Sequence, residues 1–311
     1  MRDVTKYMYQ NLLIRLKDQG LSHNTLSGVH VAASMIFKKA VEFEVIKANP
    51  TAFAKVPKKI KTVEELERRD KVAKYMERDQ LVAFINTAQA KGLERDFEIF
   101  LTLAYTGLRV GELCALKWSD INFEAKTLSI TKTYFNATNH THAFMLLTPK
   151  TNASIRVLDL DPLVLDALKH HKFWQDDLIR TNPNYYPGDF VFAKQGRYAG
   201  YPEHLKTINT RMARILKLAG LPSNLTPHSL RHTHTSLLAE AGVGLFEIMD
   251  RLGHQDDETT KQVYLHVTNT MKKEAVDKFA ILMGNSLKTT NPSIEAISRG
   301  RCEQNVSISS F

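Results

Sequence analysis

Residues 106–113 read Thr106-Gly107-Leu108-Arg109-Val110-Gly111-Glu112-Leu113. Upstream, residues 93–106 carry a helical period, and Gly107 is the natural stop. A short helix resumes at about Val110 and runs to Leu116. The stretch therefore sets an arginine at a helix start, with a carboxylate three positions on. The plain reading of Arg109 and Glu112 is a surface ion pair at i,i+3.

Three further patches lie outward from it. Thr148-Pro149-Lys150-Thr151 puts a lysine in the turn between two expected strands, where a solvated side chain is ordinary. His228-Ser229-Leu230-Arg231-His232 follows Thr226, a good N-cap, and Pro227 at the first helical position. The spacing of three sets His228 and Arg231 on one face of the first turns. Backbone N–H groups and the helix dipole there favour an anion, and arginine's planar fork suits two phosphate oxygens. The last patch is Leu252-Gly253-His254, followed ten positions later by Tyr264. Alone, Tyr264 reads as a core aromatic.

The rest of the chain supplies the frame. Helices are expected at 3–19, with Val4, Met8, Leu12 and Leu16 on one face, and from Ser22 or Asn24 to about Val45. The second would turn Val29, Ala33, Ile36, Phe37 and Ala40 inward. Residues 78–90, 93–106, 110–116, 162–180, 202–219, 226–240, 244–252, 257–265 and 269–283 also read as helices. Period-two patterning marks strands at 127–134, 143–149 and 154–160. The fold class is mainly α with a small antiparallel β-sheet. The boundaries expected are 1–53 for a partial helical unit, 54–76 for a charged linker, 77–284 for the main domain and 285–311 for a disordered tail.

The chain has 311 residues and a formal net charge of +9. Residues 1–80 hold 16 Lys/Arg against 10 Asp/Glu, or +6, whereas 81–284 hold 23 against 21, or +2. A front-loaded positive charge points weakly to a polyanion. No eighteen-residue apolar run suggests a membrane span. The first residues lack an apolar signal region. Cys114 and Cys302 match neither a disulfide framework nor a zinc motif. A reducing, cytoplasmic setting is expected.

Taken together, TGLRVGEL, TPKT followed by SIR, HSLRHT, LGH and the tyrosine ten residues later resemble the tyrosine recombinases, specifically the phage-type integrases of mobile elements. The resemblance covers residues 77–283 in the family's motif order. It implies that Tyr264 attacks a scissile phosphate and forms a 3′-phosphotyrosine. A phenol ionises near pH ~10, so a base is needed, and the resemblance assigns that role to His228. Lys150 would protonate the departing 5′ oxygen. Arg109 and Arg231 would hold the non-bridging oxygens, and His254 would hydrogen-bond the phosphate. Glu112 would orient its neighbours. The implied partner is duplex DNA at attachment sites, bound by a homo-oligomer, a tetramer in the family, with accessory DNA-bending or directionality proteins. On DNA the protein would be nucleoid-associated. No cofactor or metal is implied.

Residues 1–50 resemble the end of the family's core-binding domain. Its earlier helices and a separate arm-binding domain are not recognisable, which suggests a truncated chain. Residues 269–283 would be the segment that docks on a neighbouring protomer.

Other readings compete. A truncated, inactive DNA-binding remnant would keep the motifs without turnover. A helix-turn-helix regulator would use residues 97–118, with Gly107 at the turn. A metal hydrolase would use His228, His232 and His234, or His254 with Asp256 and Asp257. Against it, Ser229 stands where a zinc-binding H-E-x-x-H helix needs glutamate.

Overall fold

A computed structural model describes residues 3–58, 75–138, 140–149, 154–253 and 260–265. The chain divides into two compact units, Met1–Val72 and Ala73–Phe311.

The described part of the first unit holds two helices, α1 (Lys6–Asp18) and α2 (His23–Glu42). Thr5 caps α1 by accepting from the Met8 N–H, and Ser22 caps α2 by accepting from the Thr25 N–H. The inward face of α1 differs from the one its aliphatic spacing predicts. Tyr9 and Leu13 are buried, while Met8 is 55% and Leu12 45% exposed. Tyr9 decides this. Its hydroxyl meets His30 Nδ1 at 3.1 Å and its ring edge meets Phe37. An aromatic with a polar tip can bury where an aliphatic count does not look for it. On α2, Leu26 and Ala40 are buried but Ile36 is 53% exposed, against expectation.

The second unit is helical with small antiparallel sheets. Its helices are α3 (Arg78–Lys91), α4 (Asp96–Thr106), α5 (Val110–Ala115), α6 (Pro162–Thr181), α7 (Leu205–Leu218), α8 (Pro227–Glu240) and α9 (Leu245–Leu252). Residues 260–265 are also helical. α4 is the central element and packs against α3, α6 and α8. Eight of its eleven residues are buried, so it carries no polar stripe. Phe100 meets Phe84 of α3 edge-on, with ring centroids 5.2 Å apart.

Three expected strands become five. β1 (Ile121–Asn122), β2 (Thr127–Ile130) and β5 (Arg156–Asp159) form one antiparallel sheet, with Leu128 opposite Leu158. β3 (Thr133–Phe135) and β4 (Met145–Leu147) form a separate hairpin. The run 127–134 therefore breaks between two partners. At the break, Lys132 Nζ turns to Asp120 Oδ2 at 2.7 Å.

The expected helix 269–283 and the tail 285–311 lie outside the described residues, as does most of the linker 54–76. No helix among the described residues is long and apolar enough to cross a membrane.

Candidate functional site

Gly107 ends α4 with φ +63°, the left-handed conformation that favours glycine. The chain then turns through Leu108 and enters α5 at Arg109. Glu112 Oε2 accepts the Arg109 backbone N–H at 3.0 Å, and Oε1 accepts Arg109 Nη1 at 2.8 Å. The surface pair of the plain reading is thus only half at the surface. The Arg109 side chain is 37% exposed, whereas that of Glu112 is 3% exposed.

Glu112 holds a second arginine. Arg156, the first residue of β5, donates from Nη2 to Glu112 Oε2 at 3.0 Å and from Nη1 to Oε1 at 3.4 Å. Its Nε donates to the Arg251 carbonyl oxygen at 2.8 Å, and Nη1 to that of Ser154 at 3.0 Å. Burial pushes the Glu112 carboxyl up, but the Arg156 fork, the Arg109 N–H and both positive charges outweigh it. The carboxyl ends below the usual range and stays ionised.

α8 supplies the next arm. Pro227 opens it behind Thr226, whose backbone N–H donates to Ser229 Oγ at 3.1 Å. His228 in the first turn is exposed, and its ring meets that of His232 at 4.6 Å, edge to face. Arg231 is only 2% exposed. Its Nη1 donates to the Gly107 carbonyl oxygen and its Nη2 to the Leu252 carbonyl oxygen, both at 2.6 Å. One guanidinium thus gathers three sequence patches: the loop before Arg109, the start of α8, and the end of α9 just before His254. At least two of its five N–H bonds are spent on this framework.

Beneath lies a neutral histidine. His234 Nδ1 faces the Ala104 carbonyl oxygen at 2.9 Å, so it carries the proton, and Nε2 accepts from Arg251 Nε at 3.1 Å. Burial, the Arg251 charge and the more distant Arg231 charge outweigh the Ala104 hydrogen bond and lower its pKa to about 3. The three histidines of the metal-hydrolase reading do not converge. His234 is engaged with α4 and Arg251, apart from the His228–His232 pair.

Tyr264 is half-buried and packs with Leu238 and Val243 against Ala239, Ile248 and Leu252. It therefore shares α8 and α9 with the Arg231 anchor. Lys150, His254, Asp256 and Asp257 lie outside the described residues. Arg156 and Arg251 are the members of this cluster to which the sequence alone gives no role, and His234 enters there only in the metal-hydrolase reading. The one signal available was the SIR run that follows TPKT.

Residues 74–271 match the model of the phage integrase family. The integrase of Staphylococcus phage L54a is 30% identical over 303 residues, covering 91% of this chain and 85% of that protein. The ICEBs1 integrase of Bacillus subtilis (strain 168) is also 30% identical, covering 86% of this chain and 68% of its own length. Among solved structures, the Tn1549 transposon integrase in complex with transposon right end DNA superposes with a TM-score of 0.70. It is 23% identical and covers 89% of this chain and 86% of that one.

Proposed function

Since the chain belongs to the phage integrase family and is a tyrosine-type site-specific recombinase of a mobile element, we propose that its reaction runs through a 3′-phosphotyrosine made by Tyr264. The Tyr264 oxygen attacks the scissile phosphorus while the P–O5′ bond breaks. His228 takes the phenol proton, and Lys150 delivers a proton to the departing 5′ oxygen. Attack by a 5′-hydroxyl reverses these steps and joins the new strand. Arg109 and Arg231 hold the non-bridging oxygens as charge develops, and His254 adds a hydrogen bond.

The observation that carries this reading is the Arg231 anchor. A buried guanidinium fixed to the Gly107 and Leu252 carbonyl oxygens brings the Arg109 loop and the lead-in to His254 to the start of α8. Preorganised cations cost no reorientation when the phosphorane forms, which is the usual source of the largest catalytic term.

The chain binds DNA. Its specific substrate is duplex DNA at the two ends of the element and at the target, and the working form is a homotetramer on two duplexes, joined by accessory bending or directionality proteins. It acts in the cytoplasm, at the nucleoid when bound. Residues 1–53 form one jaw on the DNA, 54–76 link it, and 77–284 carry the chemistry. The front-loaded charge supports the jaw, since each neutralised phosphate adds to affinity. A nicked duplex spanning the element's joined ends tests the reading. Wild-type protein forms an SDS-resistant adduct on it, and Tyr264→Phe forms none while still retaining the DNA.

A further inference from the structure

Arg156 belongs to none of the roles above, yet among the described residues its guanidinium makes four hydrogen bonds beside them. Its side chain is 6% exposed, and Nη1 and Nη2 together face both oxygens of Glu112. A buried arginine is costly to desolvate, and a buried pair is no automatic gain in stability over an apolar one. What the arrangement does supply is direction. Glu112 has one carboxylate to share between a buried arginine and a half-exposed one. With Arg156 holding both oxygens from β5, Glu112 has a single orientation, and it presents Oε1 to Arg109 Nη1 at 2.8 Å.

Arg156 also fixes where that carboxylate sits. Nε reaches the Arg251 carbonyl oxygen at the end of α9, and Nη1 reaches that of Ser154. Arg156 therefore ties β5, α5 and α9 together by bonds to charged or backbone groups, which have fixed directions. A lysine there would keep the charge but lose the fork, since its ammonium has no planar pair of donors to span two oxygens.

We infer that Arg156 is a positioning residue for strand cleavage: through Glu112 it aims the Arg109 guanidinium at the non-bridging oxygens of the scissile phosphate. This rests on the assignment of Arg109 to that phosphate. Small displacements matter in such a site, where ~1 Å can cost about a hundredfold in rate.

The test compares two substrates. One is the nicked duplex spanning the element's joined ends; the other is the same duplex with the scissile phosphate replaced by a methylphosphonate, which is uncharged. A cation aimed at a non-bridging charge has little to stabilise there. On the phosphate, Arg156→Lys forms the covalent adduct about tenfold or more slower than wild type, as for loss of a preorganised charge. On the methylphosphonate, its rate relative to wild type recovers to within about threefold.

Arg109→Ala is the control and behaves the same way. Equal deficits for Arg156→Lys on both substrates, or no deficit on the phosphate, overturn the inference. An Arg109→Ala deficit that persists on the methylphosphonate removes Arg109 from the phosphate, and the inference falls with that assignment. Glu112→Gln, which leaves both arginines in place, is measured in parallel in case Arg156→Lys folds poorly. It shows the same recovery, and adding Arg156→Lys to it costs little more, because the two act through one chain of contacts. Multiplicative losses in the double variant contradict the relay.

Discussion

Arg231 Nη1 donates to the carbonyl oxygen of Gly107 at 2.6 Å, across 124 positions of sequence. The same guanidinium reaches Leu252 with Nη2. In the proposed reaction this one guanidinium would serve both as a structural anchor and as a group that holds the scissile phosphate.

Arg231→Ala removes both functions. Two buried carbonyl oxygens lose a charged donor, at about 1.5–3 kcal/mol each for such bonds. The rate of strand cleavage falls by about 100-fold or more, as for loss of an oxyanion donor. Arg231→Lys separates the effects, since one ammonium can satisfy one carbonyl but not span both. Thermal unfolding and adduct formation on the nicked duplex read the two losses. A fall in cleavage of less than ~10-fold in Arg231→Ala would take the residue away from the phosphate.

Gly107→Ala strains the same junction from the other side. The added Cβ would lie 2.8 Å from both His234 Cδ2 and Leu252 Cδ2, at a φ of +63°. The expected loss is about 1–3 kcal/mol of stability, from backbone strain and overpacking. Denaturant unfolding measures it, and a midpoint equal to wild type contradicts the packing described.

Stability should fall on mild acidification. Burial lowers the His171 pKa to about 4 despite its hydrogen bond to the Val191 carbonyl oxygen. His234 is held at about 3. Both stand below the unfolded value of about 6.5. The unfolded chain therefore binds more protons than the folded one between roughly pH 6.5 and 4, and stability drops as pH falls through that window. Each group contributes at most ~1.4 kcal/mol per pH unit. Urea unfolding at pH 7, 6 and 5 shows the slope, and His234→Gln reduces it by nearly one proton. An unchanged slope in that variant would mean His234 is not buried as a neutral ring.

Cys114 should be inert in the native state. It is 1% exposed, and burial, aided by the Glu203 charge, pushes its thiol well above the ordinary range. Iodoacetamide at pH 8 then labels the Cys114 peptide only after denaturation. Labelling of folded protein at the rate of a free thiol would contradict this packing.

Much of this architecture is legible in the residues. Helix starts at Thr226 and Pro227, the stop at Gly107 and the period of α6 follow from local rules, and they fall where the patterning puts them. The i,i+3 pair of Arg109 and Glu112 is equally local. What no spacing shows is burial of charge. His228 and Arg231 look equivalent on a helical wheel, but one is exposed and the other is sealed by α4 and α9. Nothing in the strand pattern of 154–160 singles out Arg156, and only the tertiary fold brings its fork to Glu112. The inward face of α1 departs from its aliphatic spacing for a similar reason. A tyrosine with a hydrogen-bond partner 21 positions away outcompetes a neat row of aliphatics.

The most direct measurement is chemical. Wild-type protein is incubated with the nicked duplex spanning the element's joined ends, the adduct is digested, and the peptide–nucleotide conjugate is sequenced by mass spectrometry. The account predicts a 3′-phosphate ester on Tyr264, with a free 5′-hydroxyl on the released strand. An adduct on another residue, a 5′-linked adduct, or cleavage that leaves no covalent intermediate would contradict it.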